Sequence, residues 1–384
     1  MDTNGRTFSS VLEMLQIMKP ARPVYCIYPR VYLRTARDFV AEFSGRVLYA
    51  VKANDHPDVI GLLHQAGVRH FDCASLTEIE KVKQVCPHAT CYFMTPIRLR
   101  GAAHQAQARH GVRHFMIDHL TGLMPLADEI DMSTSVVFVR MAVHHPAAMV
   151  DFSSKFGAPP EDIPSLVSAI SETGAEAALA FNVGSVVTSA DAYVHSIALA
   201  KDVLSNLATE IRLVDVGGGF AKPYPGFPVP PISDYISVIN ADAANLPLAQ
   251  GGAIMCEPGR ALAAPGLSAV VEVLLRKDKR LYLNDGMYGI FWELCFHEHD
   301  RYPVRCYRDG EELVGEGMSF KLYGPTCDSS DLLPGEVQLP ADIRVGDHLE
   351  FGCIGAYSLA GRTDFNGHHS DEIVTINEDT PPSV

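Results

Sequence analysis

Between residues 47 and 257, short apolar segments alternate with loops and helical patterns, and this alternation constrains the fold more than any other feature of the chain. Eight of these segments are predicted to be β-strands: Val47–Val51, His70–Ala74, Thr90–Thr95, His114–Asp118, Val136–Met141, Ala177–Asn182, Arg212–Val216 and Ala253–Glu257. Strands that alternate with helices are typical of parallel sheets. Eight such units predict an α/β fold with a closed (β/α)8 barrel. An open doubly wound sheet is the alternative, because the sequence itself does not show closure.

The pattern changes after about Ala264. Short strand-like runs follow, separated by Gly, Pro, Asp and Asn, without a long helix between them: Leu267–Leu275, Arg280–Asn284, Val304–Tyr307, Glu312–Val314, His348–Gly352 and Glu372–Ile376. Such a pattern is typical of an antiparallel β domain. We therefore predict a barrel domain at residues 24–262 and a β-rich domain made of residues 1–23 and 263–384.

Charge and cysteine content narrow the class of protein. The 46 acidic and 31 basic residues give a net charge of −15, which argues against a nucleic-acid partner but does not exclude an anionic ligand. No apolar run reaches about 18 residues, so we expect no membrane span. The nine cysteines lack metal-binding spacing, and residues 1–10 lack a signal-peptide pattern. These features favour a cytoplasmic protein with reduced thiols.

Polar and charged residues gather where the predicted barrel strands end, which is the face at which such barrels carry active sites. In strand order they are Lys52, Asp72, Cys73, Ser75, Arg140, Asn182, Ser185, Gly217–Gly219, Glu257 and Arg260. A lysine at the end of a buried strand is unfavourable to desolvate unless it is paired, hydrogen-bonded or reactive. Lys52 is therefore a candidate nucleophile, although a lysine that extends to solvent at the rim also fits the strand.

Two motifs among these residues favour the binding of a phosphate group. Gly217–Gly219 follow an apolar strand, and their bare backbone would let N–H groups approach an anion closely; a tight turn is the alternative. Glu257 and Arg260 follow the last barrel strand. The arginine could bind the same phosphate and the glutamate a protonated ring nitrogen, whereas a structural ion pair between these two residues is the alternative.

At these positions the sequence resembles the ornithine/diaminopimelate/arginine decarboxylases, which are fold-type III pyridoxal-phosphate enzymes. The resemblance covers nearly the whole chain and rests on these motifs in order: Tyr49–Asn54, Phe71–Ser75, Lys155–Gly157, Val183–Ser185, Asp215–Phe220, Glu257–Arg260, Tyr323–Asp328 and Gly355–Tyr357. The pair Cys327 and Asp328 is most similar to the ornithine/lysine decarboxylase branch. The resemblance implies an alanine racemase-like barrel with a second β domain, and pyridoxal 5'-phosphate (PLP) as the cofactor.

The resemblance also implies roles for the residues around the cofactor. Lys52 would carry PLP as an imine, and Glu257 would keep the pyridine nitrogen protonated, which makes the ring an electron sink. Asp72 and Arg140 would belong to the hydrogen-bond network around Lys52, and Asn182 would lie against the ring. The phosphate would be bound by Ser185, Gly217, Gly218, Gly219, Arg260 and Tyr357.

A second set of residues would act on the substrate, as the resemblance implies. Cys327 would protonate the substrate Cα after carbon dioxide leaves, and Asp328 would bind a distal amine. Tyr288 and His297 would complete the substrate pocket. In this family the Cys–Asp pair reaches the barrel of the other subunit, so the resemblance implies a homodimer. A small buried hydrophobic role is the alternative for Cys327.

Two positions depart from the ornithine-type pattern. The sixth strand usually ends in a histidine that stacks on the cofactor ring, and here the residue is Asn182. An aromatic–acid pair is usual at the positions of Phe296 and His297, unless a shifted loop brings Glu298 or Asp300 into the role. With one carboxylate fewer, the pocket would suit a neutral or anionic side chain better than an ammonium. We expect no metal here, because the histidines of this stretch lack a further identifiable ligand.

These observations leave three functions. The first is PLP-dependent decarboxylation of an α-amino acid of the ornithine/lysine type, giving an amine and carbon dioxide. The second is the same chemistry on a larger, non-cationic amino-acid conjugate, such as a citrate-linked siderophore intermediate, which Asn182 and His297 favour. The third is a catalytically inactive regulatory homologue, against which the presence of Lys52, Glu257 and Cys327 weighs.

Overall fold

The computed structural model describes residues 5–295 and 302–383. In these ranges the strands are β1 Thr7–Phe8, β2 Val24–Ile27, β3 Arg46–Ala50, β4 His70–Cys73, β5 Thr90–Phe93, β6 His114–Ile117, β7 Val136–Met141, β8 Ala148–Val150, β9 Glu176–Phe181, β10 Ser185–Val187, β11 Leu213–Asp215, β12 Ala253–Cys256, β13 Leu267–Lys277, β14 Arg280–Leu283, β15 Val304–Arg308, β16 Glu311–Glu312, β17 Gly317–Tyr323, β18 Val337–Pro340, β19 His348–Phe351 and β20 Ile373–Ile376. The α-helices are α1 Val11–Met18, α2 Pro29–Glu42, α3 Pro57–Gln65, α4 Leu76–Val85, α5 Ala102–His110, α6 Leu120–Ala127, α7 Ile163–Glu172, α8 Asp191–Ser205, α9 Ile232–Ala243 and α10 Arg260–Ala263.

Eight parallel strands form a closed barrel in the order β3, β4, β5, β6, β7, β9, β11 and β12. Pairing of Met255 with Arg46 and of Cys256 with Val47 joins the last strand to the first. The predicted (β/α)8 barrel is therefore confirmed, and the open sheet is excluded. Each predicted barrel strand is present, with bounds that differ by at most two residues.

Apolar side chains, most of them large, fill the inside of the barrel. They are Leu48, Tyr92, Met94, Met116, Phe138, Ala178, Ala180, Leu213 and Met255. In β3, Leu48 belongs to this inner set, whereas Val47 and Tyr49 belong to the larger core that includes the surrounding helices. Successive residues of a strand point to opposite faces, so each barrel strand is buried on both sides. The filled interior leaves polar chemistry to the ends of the strands.

A second sheet packs beside the barrel and is built from both ends of the chain. Its main order is β1, β20, β2, β13, β14, β17 and β18, and β19 joins it through β13. Strand β2 was assigned to the barrel domain by the predicted boundary at residue 24, but it pairs with β13 and β20 instead. All four residues of β2 are buried, so its sequence fits a core strand of either domain. Only its pairing with β13 and β20 shows that it belongs to the second sheet.

Five of the six strands predicted after residue 264 are present, whereas the predicted strand Glu312–Val314 overlaps the observed β16 only at Glu312. The sequence did not predict β17 and β18, which pair with each other in antiparallel fashion. In β17 only Phe320 and Leu322 are buried, and its exposed positions weaken the apolar signal. Within the second sheet, the pairings among the described strands are mostly antiparallel, but β1–β20, β2–β20 and β14–β17 are parallel.

None of the helices in the described ranges combines the length and the apolar character needed to cross a lipid bilayer.

Candidate active site

Lys52 stands at the mouth of the barrel because β3 ends at Ala50 and a 3-10 turn, Val51–Ala53, follows it. The buried Asn54 ends this turn. Its side-chain amide donates to the Gly355 carbonyl oxygen at 2.9 Å, and its own carbonyl accepts from the Tyr49 hydroxyl at 2.9 Å. The turn that carries Lys52 is thus tied both to its own strand and to the second domain.

A small cavity of about 40 Å³ opens around Lys52 at the C-terminal ends of the barrel strands. Its wall consists of Ala50, Lys52, Phe152, Asn182, Gly184, Ser185, Val186, Gly218, Gly219, Phe220, Glu257, Gly259, Arg260 and Tyr357. Eight residues that the sequence predicted for one site therefore share this wall, although they come from widely separated parts of the chain. We call it the Lys52 cavity.

The Lys52 side chain is exposed to solvent at the mouth, whereas the acidic groups near it are buried. Partial loss of hydration by itself lowers the pKa of the Lys52 amine. The attraction of Asp72, and after it of Tyr357 and Glu257, outweighs this loss and raises the pKa above its ordinary value. In the cofactor-free protein the amine is therefore a cation at neutral pH.

Asp72 and Arg140 approach Lys52 from the ends of β4 and β7. Burial, with added repulsion from Glu257, raises the pKa of Asp72 well above its ordinary value. Burial lowers the pKa of Arg140, whose guanidinium carbon also lies 5.2 Å from the centre of the Phe156 ring. These two residues therefore form the electrostatic surroundings of the amine rather than the wall of the cavity.

Glu257 directly follows β12 and is 9% exposed. Burial, and after it repulsion from Asp215, raises the pKa of Glu257 to about 8. Burial raises the pKa of Asp215 to about 7, although the backbone N–H of Gly217 donates to its carboxylate at 2.8 Å. The two buried carboxyl groups are thus close enough to share a proton. The sequence placed Asp215 in the glycine motif but assigned it no role.

Glycines are required in the loop after β11 because other backbone closely surrounds it. A Cβ at Gly218 would lie 2.7 Å from the Glu257 carbonyl oxygen, and one at Gly219 would lie 2.9 Å from that of Gly184. The Tyr193 hydroxyl, on α8, donates to the Gly218 carbonyl oxygen at 2.6 Å. This brace from a neighbouring helix fixes the loop, and sequence reasoning did not identify it.

The segment that carries Ser185 is a short strand, β10, which pairs with β8. Its middle residue, Val186, has φ of 51°, a left-handed conformation that is a strong outlier for a β-branched side chain. The Tyr235 hydroxyl, on α9, donates to the Val187 carbonyl oxygen at 2.5 Å. Pairing and this hydrogen bond therefore hold a strained backbone at the cavity wall.

Arg260 begins α10 and is 5% exposed. It donates to Glu293, which is 3% exposed, and its other terminal nitrogen lies 3.4 Å from the Tyr224 hydroxyl. An ion pair between Arg260 and Glu257 was the sequence-based alternative, but the partner here is Glu293, from the second domain. Sequence reasoning did not identify Glu293, because 33 residues separate it from Arg260.

Tyr357 brings the second domain to the Lys52 cavity. Its backbone N–H donates to the Ala53 carbonyl oxygen at 2.7 Å, directly beside the turn that carries Lys52. The ring centre lies 5.3 Å from the guanidinium carbon of Arg260, and the residue has φ of 58°. The second domain therefore completes the cavity wall.

Asn182 follows β9, as predicted, and is part of the cavity wall. Its side-chain carbonyl accepts from the backbone N–H of Gly184 at 3.0 Å. This bond fixes the direction of the amide and leaves its NH2 group as the free donor end of the side chain.

Residues Cys327 and Asp328 form a second cluster with Tyr288 on the second domain; we call it the Cys327 groove. The Tyr288 hydroxyl donates to the Asp328 carboxylate, and its ring stacks on Phe365 with the centres 4.5 Å apart. The Cys327 sulfur is exposed and lies 3.6 Å from the side-chain oxygen of Asn366. These contacts hold the residues of the Cys327 groove together at the surface of the second domain.

Asp331 holds the backbone of this groove. Its buried carboxylate accepts from the Met287 N–H at 2.7 Å and from the Thr326 hydroxyl at 2.7 Å. It thereby joins the loop of Tyr288 to the loop of Cys327. Sequence reasoning did not identify it, although a carboxylate four residues after Cys327 was visible.

The structure does not bring the two clusters together within one chain. In the parts of the chain that the structure describes, neither Cys327 nor Asp328 nor Tyr288 belongs to the wall of the Lys52 cavity. His297 lies outside the described residues. Within 5–295 and 302–383, no three histidine, cysteine or acidic side chains are grouped as metal ligands.

Comparisons with known proteins agree with this arrangement. The sequence matches the family profile described as the pyridoxal-binding domain of pyridoxal-dependent decarboxylase over residues 31–264, and that of the C-terminal sheet domain over residues 183–355. It is 30% identical to the lysine/ornithine decarboxylase of Selenomonas ruminantium over 345 residues, which cover 87% of this chain and 84% of that protein.

Two further similarities concern function and fold. The chain is 30% identical to antizyme inhibitor 2 of Xenopus laevis over 351 residues, covering 85% of this chain and 74% of that protein. Its fold matches the crystal structure of lysine/ornithine decarboxylase from Vibrio vulnificus complexed with cadaverine, with a TM-score of 0.82 and 28% identity over 97% of this chain and 100% of that chain. With a family match that covers more than half of its length, the chain belongs to the pyridoxal-dependent decarboxylases.

Proposed function

We propose that this enzyme decarboxylates an α-amino acid of the ornithine or lysine type and releases the corresponding amine. The observation that carries this choice of substrate is the placement of the Asp328 carboxylate next to Cys327, where it accepts from the Ser330 backbone N–H at 2.9 Å and from the Tyr288 hydroxyl. Hydrogen bonds from the Ser330 backbone, and then from the Tyr288 hydroxyl, lower the pKa of Asp328. The carboxylate is therefore ionised at neutral pH, as the binding of a distal ammonium group requires.

The Lys52 cavity fits PLP in its donor chemistry. Arg260, Ser185 and the glycine loop share one wall, and side chains in place of Gly218 or Gly219 would collide with backbone there. A bare backbone beside a guanidinium suits a phosphate group. Lys52 offers an amine for the aldehyde, and Glu257 offers a carboxyl group for the ring nitrogen. Tyr357 and Asn182 complete the predicted cofactor site.

When bound, PLP supplies an electron sink for the electron pair released as the substrate carboxylate leaves as carbon dioxide. Lys52 would hold the cofactor through its amine. Because the pKa of Glu257 is about 8, this group carries a proton at neutral pH in the cofactor-free protein. It would supply that proton to a ring nitrogen bound beside it.

Two charged neighbours orient these groups in the proposal. Asp72 attracts the Lys52 amine, and Arg140 lies near both Asp72 and Glu257. Their opposite charges keep the amine and the carboxyl group at fixed positions in a buried setting. Cys327 then donates its thiol proton to Cα, which completes the replacement of the carboxylate by hydrogen.

A homodimer is part of this proposal, because one chain does not assemble the site. Cys327 is exposed and Asp328 half-buried, and both are separate from the wall of the Lys52 cavity. We infer that each cavity receives the Cys327 groove of a second copy. The Cys327 thiol and the Asp328 carboxylate would then be enclosed between the two copies, as proton transfer and ammonium binding require.

Mixed dimers test this arrangement. Lys52→Ala and Cys327→Ala are each expected to be nearly inactive, but a mixture should regain about a quarter of the activity, because half of the dimers would carry one intact site. Light scattering should give twice the mass of one chain. A monomer, or a mixture with no recovered activity, would contradict the shared site.

Release of carbon dioxide identifies the substrate. We expect ornithine or lysine to give the highest kcat/KM in a panel with diaminopimelate, arginine and citrate-linked amino acids. Asp328→Asn should remove this preference, because the amide cannot neutralise the distal ammonium group. A preference for the citrate-linked compounds would instead support the second candidate, a decarboxylase of non-cationic conjugates. Asn182, in the cavity wall, favours that candidate.

The similarity to antizyme inhibitor 2 raises the question of a regulatory role. This chain nevertheless has the groups on which the proposed chemistry depends. Lys52, Glu257 and Arg260 all border one cavity. A protein that binds PLP but releases no carbon dioxide from any compound of the panel would support regulation instead.

A cytoplasmic location is proposed from the cysteines. All nine lie in the described residues, and none is paired in a disulfide. Reduced thiols are usual where glutathione and thioredoxin keep the compartment reducing. Alkylation of a rapidly lysed cell culture should label the exposed Cys295, whereas its protection by a disulfide would argue for an oxidising compartment.

A further inference from the structure

A buried ion pair lies behind the proposed phosphate end of the Lys52 cavity. Arg260 comes from the first turn of α10, and Glu293 comes from a 3-10 turn, Trp292–Cys295, of the second domain. Exposed fractions of 5% and 3% place both charges away from water. In such surroundings the removal of Glu293 would leave the charge of Arg260 buried without its counter-ion.

Further contacts fix the position of Glu293. Its second carboxylate oxygen lies 3.4 Å from the Tyr302 hydroxyl. The Tyr302 ring meets the Tyr224 ring edge-on with the centres 5.7 Å apart, and the Tyr224 hydroxyl lies 3.4 Å from Arg260. The carboxylate and the guanidinium are thus held by the same pair of tyrosines. Glu293 is a built counter-ion and not a side chain that happens to reach Arg260.

The same guanidinium borders the cavity. Arg260 shares the wall with Ser185 and Gly219, so a phosphate bound there would become a second anion on one arginine. Two anions on one guanidinium repel each other, and the repulsion is strong where water is excluded. The phosphate and Glu293 therefore compete for the positive charge of Arg260.

We propose that Glu293 is the counter-ion of Arg260 in the cofactor-free protein and competes with the phosphate of PLP for it. Glu293 thereby stabilises the cofactor-free protein and weakens cofactor binding, which makes PLP exchangeable. This inference rests on the proposed phosphate-binding role of Arg260. A residue that only positioned Arg260 would act with the opposite sign, because its removal would weaken cofactor binding.

The test is Glu293→Gln in the full chain, since the amide keeps the shape and removes the charge. The dissociation constant for PLP, followed by the visible absorbance of the lysine-bound cofactor, should fall at least about tenfold, given like charges at an effective dielectric constant of about 20. The cofactor-free variant should unfold at a lower temperature than the cofactor-free wild type, because Arg260 loses its partner. PLP should then raise the unfolding temperature of the variant by more than that of the wild type.

Two controls isolate the charge at the phosphate end. Tyr302→Phe removes the hydroxyl beside Glu293 and keeps its charge, so PLP affinity should change far less. Pyridoxal, which lacks the phosphate, should bind the variant and the wild type equally. An equal or weaker affinity of Glu293→Gln for PLP, or a gain of the same size for pyridoxal, would overturn the proposal.

Two further measurements keep the result decisive. If Glu293→Gln does not fold without cofactor, the variant is purified with PLP bound, and the rate of PLP release is measured. The variant should release PLP more slowly than the wild type, and an equal or faster release would overturn the proposal. Arg260→Gln tests the premise separately. If that variant binds PLP as tightly as wild type, the proposed phosphate site itself is wrong, whatever Glu293 does.

Discussion

The Lys52 cavity and the Cys327 groove carry the same predicted reaction but are built differently. The cavity is set by strand ends whose acidic and basic groups are buried, and tyrosines of two helices brace its loops. The groove is a surface feature, with an exposed thiol and a carboxylate held by a tyrosine and a backbone N–H. One chain therefore builds the proposed cofactor site and presents the proposed substrate-binding residues on its surface.

This difference indicates how the two ends respond to change. In the cavity, buried charges act on one another, so a substitution alters the pKa of several groups at once. In the groove, water screens the charges, and a substitution acts mainly through the lost contact. Cofactor binding should therefore be independent of the groove, whereas turnover should depend on both.

The largest expected effect is that of Lys52→Ala. Without the amine the cofactor has no covalent attachment, so the visible absorbance of the lysine-bound form should disappear. Release of carbon dioxide should fall at least about a thousandfold. Lys201→Ala, on the exposed surface of α8, is the matched control and should change neither measurement. Full activity in Lys52→Ala would remove this residue from the mechanism.

Cys327→Ala should separate the two regions most clearly. The dissociation constant for PLP should stay that of wild type, because the groove does not border the cavity within one chain. Turnover should slow by about 100-fold or more, or the proton should be delivered to a different position, because the general acid is missing. Cys295→Ala, another exposed free thiol, is the control. Unchanged kinetics and product would exclude Cys327 as the proton donor.

A smaller effect is expected from a change at Tyr288, which supports the Asp328 carboxylate. Tyr288→Phe removes one hydrogen bond from Asp328 and keeps the ring that stacks on Phe365. The carboxylate then loses one of the two donors that hold it in place, so kcat/KM for a cationic substrate should fall about tenfold. Ser330→Ala, at the other side of the carboxylate, should have less effect because its backbone N–H remains. A loss confined to non-cationic substrates would contradict the ammonium role of Asp328.

The sequence predicted the cavity well because its signals are local. Each barrel strand is an apolar run followed by a polar residue, and in a parallel barrel all such ends lie on one face. Once the barrel was predicted, Lys52, Ser185 and Glu257 had to meet. The glycine motif added a backbone requirement that only glycine satisfies, and the crowding at Gly218 agrees with it.

The parts that the sequence did not predict depend on contacts between distant segments. Glu293 pairs with Arg260 across the boundary of the two domains, whereas Glu257, three residues from Arg260, was the nearer candidate in sequence. Tyr193 looks like an ordinary apolar position of α8, and only the fold shows that its hydroxyl reaches Gly218. Strand β2 has no feature of its own that assigns it to either domain.

The smallest expected effect is the pH dependence of stability, which has opposite signs in the two regions. Burial raises the pKa of Glu257 from 4.5 to about 8 and that of Asp215 from 3.8 to about 7. Folding therefore takes up protons, and this contribution to stability is present at low pH and is lost as pH rises towards about 8. The pKa of Asp328 is lowered, so its contribution is present at neutral pH and is lost in acid.

Glu257→Gln in the cofactor-free protein tests this sign, because the amide does not ionise. Between pH 5 and pH 8, ionisation of Glu257 should lower the unfolding temperature of the wild type by about a few degrees. The unfolding temperature of the variant should fall less over the same range. At pH 8 the cofactor-free variant should thus be the more stable of the two, although it binds PLP less well. Asp328→Asn is the contrasting control, and its effect should be confined to acidic pH. Equal slopes in wild type and Glu257→Gln would mean that Glu257 is ionised in the cofactor-free cavity, and the proposed transfer of its proton to the ring nitrogen would then be wrong.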